Sequence, residues 1–198
     1  MIERQESVWS GRFAVDVVEF RHRRFDGAMS PVRRWELFRR GRAAALLPYD
    51  PWSDQVVLIE QFRLPALIAG FEPVMVEVPA GLCDPGETPE ETVRREALEE
   101  MGVSADRVLP MLDVVLTAGG SDERCTLFAG RVRAPATDAD GIAGTGGLES
   151  EHEDIRVRVL PARDAIEAAA DGVYANSVTV MALLWLGARR ERLRAAWA

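Results

Sequence analysis

Residues 81–103, GLCDPGETPEETVRREALEEMGV, contain a helix whose two ends are marked by residue type. Thr88 predicts the N-cap, and Glu91 three residues later completes a capping box. Pro89 then occupies the first helical position, where its missing N–H costs nothing. Gly102 predicts a left-handed stop at the C-terminal end. We therefore expect a helix from Pro89 to the residue before Gly102.

Three glutamates near the end of this helix oppose the local electrostatics. Glu96, Glu99 and Glu100 share one stripe of the helix at about 100° per residue. Glu96 and Glu100 repel each other as an i,i+4 pair, and the dipole at this end prefers cations. A divalent cation such as Mg²⁺ would relieve the repulsion, because it binds carboxylate oxygens. The alternative, common for Glu-rich helices, is a solvated face in which Arg95 pairs with Glu99.

The spacing around the helix resembles the Nudix box, the signature of hydrolases that cleave a nucleoside diphosphate linked to another group. Seven fixed identities at about 7% usage each match by chance roughly once in 10⁸ starting points. One hydrophobic position of the box is Ala97 here, a mild departure from the pattern. The fixed identities are Gly81, Glu87, Arg95, Glu96, Glu99, Glu100 and Gly102.

The resemblance extends over nearly the whole chain, to the bacterial ADP-ribose pyrophosphatases of that family. The segments FRHRRFDGAMS, RGRAAALLPYDP, VVLIEQFR, GGSDER and LESEHEDIRV follow that pattern in order. The resemblance implies an α+β fold in which residues 43–198 form a Nudix α/β/α sandwich with a mixed sheet. Residues 1–42 would form a small antiparallel β ribbon, whose strands such enzymes exchange between two subunits. A homodimer is therefore expected.

The resemblance assigns metal binding to the box. It implies that Glu96 and Glu100 are metal ligands and that Glu99 is a ligand or a partner of the ligands. The carbonyl of Ala80 would complete the metal shell. The implied cofactor is Mg²⁺, or alternatively Mn²⁺. Arg95 is expected to orient the glutamates rather than to touch the substrate.

A second acidic group, ESEHED at residues 149–154, precedes the last predicted strand. By resemblance Glu151 matches the general base and Glu153 a further metal ligand. A water must be deprotonated for in-line attack on phosphorus, and a base on a loop can withdraw to admit substrate. His152 is a rival base. The alternative is a solvated acidic loop without a catalytic role.

The candidate substrate-binding residues lie mainly outside the helix. Arg63 in EQFR matches a subfamily arginine near the phosphates, and an arginine fork suits a pyrophosphate. An edge-strand surface charge is the alternative for Arg63. Glu123 in GGSDER lies on the loop that borders the terminal ribose in the subfamily. The other candidates are Gly81, Arg12, Arg34 and Trp35.

Three departures from the subfamily pattern concern the choice of nucleotide sugar. Ala118 stands where a proline is common. Arg12 falls at the position of the adenine-stacking aromatic, and Trp35 at a neighbouring arginine position. Either side chain can stack on a base through a π face, or serve in packing. These departures leave the hydrolase prediction unchanged and weaken the prediction of which nucleotide sugar is bound.

Composition narrows the class of protein. The chain has 198 residues, 47% hydrophobic and 28% charged, which is typical of a soluble globular protein. A formal charge of −8 argues against a nucleic-acid partner. Two cysteines without metal-ligand spacing favour a reducing cytoplasm. The absence of an apolar leader and of any apolar run near ~20 residues predicts no membrane segment.

Three segments near the C-terminal end give further secondary-structure expectations. The run APATDADGIAGTGGLESEHED, residues 134–154, reads as a mobile loop because it is rich in Gly, Ala and acids. The run SVTVMALLWLGARRERLRAAW, residues 177–197, reads as a single helix with a basic last half. Helical periodicity also predicts a short helix over 162–171, stopped by Gly172.

These observations predict an Mg²⁺-dependent hydrolase that splits ADP-ribose into AMP and ribose 5-phosphate. GDP-mannose or another nucleoside diphosphate sugar is the alternative substrate. A second class is a Nudix-like sensor that binds ADP-ribose without cleaving it. Such sensors need a DNA-binding appendage, for which the acidic sequence shows no pattern, and the full set of box glutamates favours catalysis.

Overall fold

The structure is a computed structural model that describes residues 1–148 and 153–198. The chain forms two compact units. The first comprises Met1–Arg42 and Val114–Cys125, and the second comprises Ala43–Asp113 and Thr126–Ala198. A three-stranded sheet lies in the first unit, and an eight-stranded sheet is formed mainly by the second.

The sheet of the first unit is antiparallel, with its strands in chain order. It contains β1 (Ile2–Ser10), β2 (Ala14–Phe20) and β3 (Arg33–Arg39). This confirms the predicted ribbon, and a turn at Asp26-Gly27 lies between β2 and β3. Buried Asp16 on β2 accepts from Gln5 Nε2 at 2.6 Å and from Arg39 Nη1 at 2.8 Å. The pairing of all three strands therefore includes a shared polar contact.

The larger sheet has the strand order β10-β11-β5-β4-β9-β8, with β6 paired to β5 and β7 paired to β4. Runs rich in apolar residues form β4, β5, β6, β8, β9 and β11, because β-branched residues suit a pleated surface. The strands are β4 (Arg42–Asp50), β5 (Gln55–Phe62), β6 (Val74–Glu77), β7 (Ala80–Leu82), β8 (Arg107–Val115), β9 (Arg124–Arg131), β10 (Ile142–Gly146) and β11 (Ile155–Pro161).

Helices cover both faces of this sheet. Val93 and Ala97 of the box helix pack in one buried cluster with Val57 and Ile59 of β5. Leu58 alternates to the opposite face, where the third helix contacts β5 and β11. The predicted α+β sandwich is confirmed. The helices are α1 (Leu64–Ile68), α2 (Pro89–Met101), α3 (Ala162–Ala170), α4 (Ser177–Gly187) and α5 (Arg190–Trp197).

The ends of α2 lie where the sequence places them. The Thr88 side chain accepts from the Glu91 N–H, and the Glu91 side chain accepts from the Thr88 N–H at 2.8 Å. Gly102 ends the helix with φ 65°, a conformation that side chains with a Cβ atom rarely adopt. The capping box and the left-handed stop are therefore confirmed.

Two expectations were wrong in detail. The supposed loop over 134–154 contains strand β10, which pairs with the free edge of β11 from Ile142 to Gly146. Glycine and alanine disfavour a strand, and pairing with a neighbouring strand overrides that propensity. The single helix over 177–197 is divided, because α4 ends at Gly187 and α5 begins at Arg190. Glycine weakens a helix interior, so a break there is inexpensive.

Contacts of one aspartate hold α5 in place. Asp54, in the turn between β4 and β5, has φ 61°. Its Oδ1 accepts from the Tyr49 hydroxyl at 2.8 Å and from Arg190 Nε at 2.9 Å. Arg194 Nη1 lies 3.5 Å from Asp54 Oδ2.

No helix in the described part of the chain combines the length and apolarity that a membrane span requires.

Candidate active site

Arg95 is the centre of the hydrogen-bond network in the box. It donates from Nε to Glu87 Oε1 at 3.0 Å, and from Nη1 to Glu96 Oε1 at 2.8 Å and Glu99 Oε2 at 2.9 Å. Glu87 also accepts from the Thr92 hydroxyl at 2.8 Å. The bond from Arg95 is the largest cause that lowers the pKa of Glu87, to about 2. Arg95 thus holds the box loop and two helix glutamates in one arrangement.

Glu96 lies against the backbone of β7. A Cβ atom added to Gly81 would lie 1.7 Å from Glu96 Oε1, so this close approach requires glycine. Burial raises the pKa of Glu96; the charge of Arg95 opposes the rise, and the charges of Glu99 and Glu153 add to it. The structure therefore gives Gly81 a contact with a candidate metal ligand.

Glu100 is the glutamate of the box that is buried most deeply, with 3% of its surface exposed. Its Oε2 accepts from the backbone N–H of Ala80 at 3.2 Å. Burial, followed by the charges of Glu96 and Glu153, raises the pKa of Glu100 to about 8. The charge of Arg63 acts in the opposite direction. Three carboxylates thus lie close enough to disturb one another's ionisation.

Glu153 is hydrogen-bonded to Leu148, the last residue described before it. Its N–H donates to Leu148 O at 3.3 Å, and its Oε2 accepts from Leu148 N–H at 3.2 Å. The Gly147 N–H donates to Glu99 O at 3.0 Å, which joins this part of the chain to α2. Leu148 and Glu153 are therefore joined to each other, and Gly147 beside them is joined to α2. The predicted base, Glu151, lies outside the described residues.

The predicted metal ligands have suitable chemistry, but their side chains are not arranged around a metal position. Within residues 1–148 and 153–198, no group of three or more acidic, histidine or cysteine side chains is arranged to hold a metal ion. Arg95 and the Ala80 N–H instead bind the carboxylates of the box. The chemistry still fits a hard divalent cation, because buried carboxylates that repel one another are stabilised by it. The rival base, His152, also lies outside the described residues.

Arg63 follows β5 and is held by a buried carboxylate. Its Nε and Nη2 atoms each lie 2.8 Å from Glu77 Oε2. The other carboxylate oxygen of Glu77 accepts from Asn176 Nδ2 at 2.6 Å. The sequence pattern singles out neither Glu77 nor Asn176, since 99 positions separate them. The only available signal is a lone glutamate inside the apolar strand VMVEVP.

The four other candidates belong to the first unit. Glu123 Oε1 accepts from Arg40 Nη2 at 3.3 Å. The Trp35 ring, 50% exposed, meets Phe20 edge-on with 5.6 Å between ring centroids. Trp35 therefore has a packing contact and also an exposed surface. The two remaining candidates, both on exposed positions, are Arg12 and Arg34.

Comparisons with known proteins identify the family of the chain. The NUDIX domain model matches residues 39–181. The chain is 41% identical over 194 residues to an ADP-ribose pyrophosphatase of Escherichia coli (strain K12), covering 98% of this chain and 90% of that protein. It is 34% identical over 196 residues to an ADP-ribose pyrophosphatase of Haemophilus influenzae, covering 98% and 88%.

Two further similarities are less extensive or less close in sequence. A GDP-mannose pyrophosphatase of Yersinia pestis is 36% identical over 149 residues, covering 75% of this chain and 72% of that protein. A solved structure described as an ADP compounds hydrolase has a TM-score of 0.69 at 21% identity, covering 99% of this chain and 95% of that one. This structure supports the fold.

The chain belongs to the Nudix family, and it is a hydrolase that acts on pyrophosphate bonds. The matched range includes α2 and the strands on both sides of it in the sequence.

Proposed function

We propose that this enzyme hydrolyses nucleoside diphosphate sugars with the help of a divalent cation, and that ADP-ribose is its main substrate. The observation that carries the proposal is the group of Glu96, Glu153 and the buried Glu100, in which burial and then the two neighbouring charges raise the pKa of Glu100 to about 8. Such an arrangement destabilises a protein unless a cation compensates it. The products would be AMP and ribose 5-phosphate.

The residues that would hold the cation are Glu96, Glu100 and Glu153, with Glu99 and the Ala80 carbonyl as further candidates. The bound cation, Mg²⁺ or Mn²⁺, would neutralise charge on the pyrophosphate. Arg95 supports this role by fixing Glu96 and Glu99 through its Nη1 atom.

Other residues of the chain bind the substrate and supply the base. The guanidinium of Arg63 suits a phosphate oxygen pair, and its influence on the pKa of Glu100 supports a position near the box. Glu151 would take a proton from the attacking water. The residues that would contact the ribose or the nucleobase are Glu123, Arg12, Arg34 and Trp35.

The preference for ADP-ribose is supported by the extent of similarity. The ADP-ribose pyrophosphatase of Escherichia coli is similar over 98% of this chain, whereas the GDP-mannose pyrophosphatase of Yersinia pestis is similar over 75%. The first figure includes the residues of the N-terminal sheet, where Arg34 and Trp35 lie on β3 and Arg12 lies between β1 and β2. GDP-mannose is therefore the second substrate to test.

The N-terminal sheet, residues 1–42, is also proposed to join two copies of the chain by strand exchange. All nine residues of β1 are exposed, among them Ile2, Val8 and Trp9. An exposed edge strand with apolar side chains favours pairing with another chain. Size-exclusion chromatography with light scattering should give the mass of a dimer. The mass of a monomer at all concentrations would contradict the proposed strand exchange. The cytoplasmic location stays a prediction.

A substrate panel tests the proposed function. ADP-ribose, GDP-mannose, ADP-glucose, diadenosine polyphosphates and NADH would each be incubated with Mg²⁺ and with Mn²⁺, and products identified by chromatography. We expect the highest kcat/KM for ADP-ribose, with AMP as the nucleotide product. Cleavage of GDP-mannose at a higher kcat/KM would replace the proposed substrate, and no cleavage of any compound would overturn the proposed function.

A further inference from the structure

The structure assigns Glu77 and Asn176 as positioning residues that aim the guanidinium of Arg63 at the substrate's phosphates. The inference rests on the proposed function, and it adds two residues to the site that the box does not contain. It is carried by a chain of hydrogen bonds that begins at the N-terminus of α4 and ends at Arg63.

The chain of contacts uses both oxygens of the Glu77 carboxylate. Oε2 lies 2.8 Å from both Nε and Nη2 of Arg63, and Oε1 accepts from Asn176 Nδ2 at 2.6 Å. Glu77 is 4% exposed, so water competes little for these oxygens. A buried carboxylate held on both oxygens restricts the orientation of the guanidinium that it binds.

Asn176 is fixed by a second role. Its Oδ1 accepts from the Thr179 N–H at 2.9 Å and so caps α4. The Thr179 hydroxyl accepts from the Val78 N–H at 3.0 Å, which ties the first turn of α4 to the residue after Glu77. Because its oxygen is used by the helix, the amide nitrogen of Asn176 is directed toward Glu77.

The geometry leaves part of Arg63 available to a ligand. Its side chain is 41% exposed, whereas that of Glu77 is 5% exposed. Glu77 receives bonds from Nε and Nη2, and within the described residues no hydrogen bond from Nη1 of Arg63 is found. A guanidinium has five N–H donors, so donors remain for phosphate oxygens after Glu77 is bound.

Substitutions of Asn176 separate positioning from helix capping. Asn176→Ser keeps a good N-cap and removes the amide donor to Glu77. We expect a slightly lower melting temperature, because a buried Glu77 oxygen loses its donor while the cap is kept. We expect a kcat/KM about tenfold lower, because small displacements of a substrate-binding group are costly to the reaction. Asn176→Asp also keeps the cap and places a carboxylate against Glu77, so we expect a larger loss of kcat/KM.

A matched control comes from another buried carboxylate in the same sheet. Glu60 on β5 is bound by Arg156 and by Arg158, whose Nε lies 2.6 Å from Glu60 Oε1. Glu60→Gln removes a buried ion pair that does not include Arg63. We expect Glu60→Gln to lower the melting temperature and leave kcat/KM within about twofold, whereas Glu77→Gln lowers kcat/KM about 100-fold.

A double-mutant cycle decides whether Asn176 acts through Arg63. Asn176→Ser would be measured in wild type and in Arg63→Ala, using kcat/KM and calorimetric binding of α,β-methylene-ADP-ribose. We expect the effect of Asn176→Ser to disappear in the Arg63→Ala background, because coupled residues are not additive. An equal effect in both backgrounds, or none in wild type, would overturn the inference while leaving the proposed function intact. A wild-type protein that neither binds nor cleaves ADP-ribose would overturn the proposed function as well.

Discussion

Asp54, which is partly buried, and Glu100, which is buried, are two acids of the second unit whose surroundings differ in charge. Asp54 is one carboxylate between two guanidinium groups, those of Arg190 and Arg194. The bond from Arg190 is the largest cause that lowers the pKa of Asp54. At Glu100 burial and neighbouring carboxylates dominate, and the pKa rises to about 8. The two pKa shifts are therefore opposite because Asp54 is bound by arginine, whereas Glu100 is buried beside other carboxylates.

The comparison separates carboxylates that stabilise the fold from those that serve chemistry. A carboxylate whose surroundings favour ionisation adds to the free energy of unfolding at neutral pH. A buried carboxylate beside other carboxylates lowers that free energy, and such groups concentrate at functional sites. Asp54 therefore belongs to the first class and Glu100 to the second.

The largest expected effect is on turnover. Glu100→Gln should lower kcat with ADP-ribose at least about 10³-fold, since the cation's contribution of several kcal/mol would be lost. The same variant should unfold at an equal or higher urea concentration than wild type, because it lacks a carboxyl group whose raised pKa opposes folding at neutral pH. Kinetics and urea titrations of one preparation test both statements. Near-normal turnover would remove Glu100 from the proposed site.

The next effect concerns the acidic segment. Glu151→Gln should lower kcat about 10²- to 10⁴-fold, the usual contribution of a general base. Binding of Mn²⁺, followed by calorimetry, should be retained because Glu151 is not proposed as a ligand. His152→Asn is the matched control and should keep most activity. If the two variants exchange these outcomes, His152 is the base.

Asp54→Asn should show the reverse pattern to Glu100→Gln. Removing the carboxylate leaves Arg190 and Arg194 without their shared partner, so the free energy of unfolding should fall by about 2–4 kcal/mol. The kcat of the remaining folded protein should match wild type, because Asp54 lies in the turn before β5 and contacts no box residue that the structure describes. A loss of kcat at unchanged stability would break the comparison.

Acid should affect these variants differently. The folded-state pKa of Asp54 is lowered, so its stabilisation is present above the ordinary Asp pKa of about 3.9 and is lost as the pH falls below it. The free energy of unfolding of wild type should therefore decrease more steeply from pH 5 to pH 3 than that of Asp54→Asn. Urea titrations of both proteins at intervals of about one pH unit measure this difference. Parallel curves would show that ionisation of Asp54 does not contribute to the pH dependence of the free energy of unfolding.

The smallest effect tests the cap of α2. Thr88→Ala removes the side-chain acceptor for the Glu91 N–H and should lower the free energy of unfolding by about 1 kcal/mol. Thr88→Ser keeps the acceptor and should resemble wild type. Urea denaturation of the three proteins measures this difference, and equal midpoints for alanine and serine would show that the cap contributes nothing.

Local spacing explains which parts could be predicted. The capping box of α2, its glycine stop and the stripe of glutamates are spaced by three or four residues, so helical geometry alone brings them together. Strand β10 and the break before α5 were mispredicted, since β10 depends on the edge of β11 and α5 on the distant Asp54.

The sequence by itself determined the family, the box and the candidate ligands on α2. Only the tertiary structure decided that Glu100 is buried beside Glu153, that Gly81 must admit the Glu96 carboxylate, and that Asn176 reaches Glu77. The physical reason is distance along the chain. Burial and charge compensation depend on contacts between residues far apart in sequence, and spacing within one helix carries no information about them.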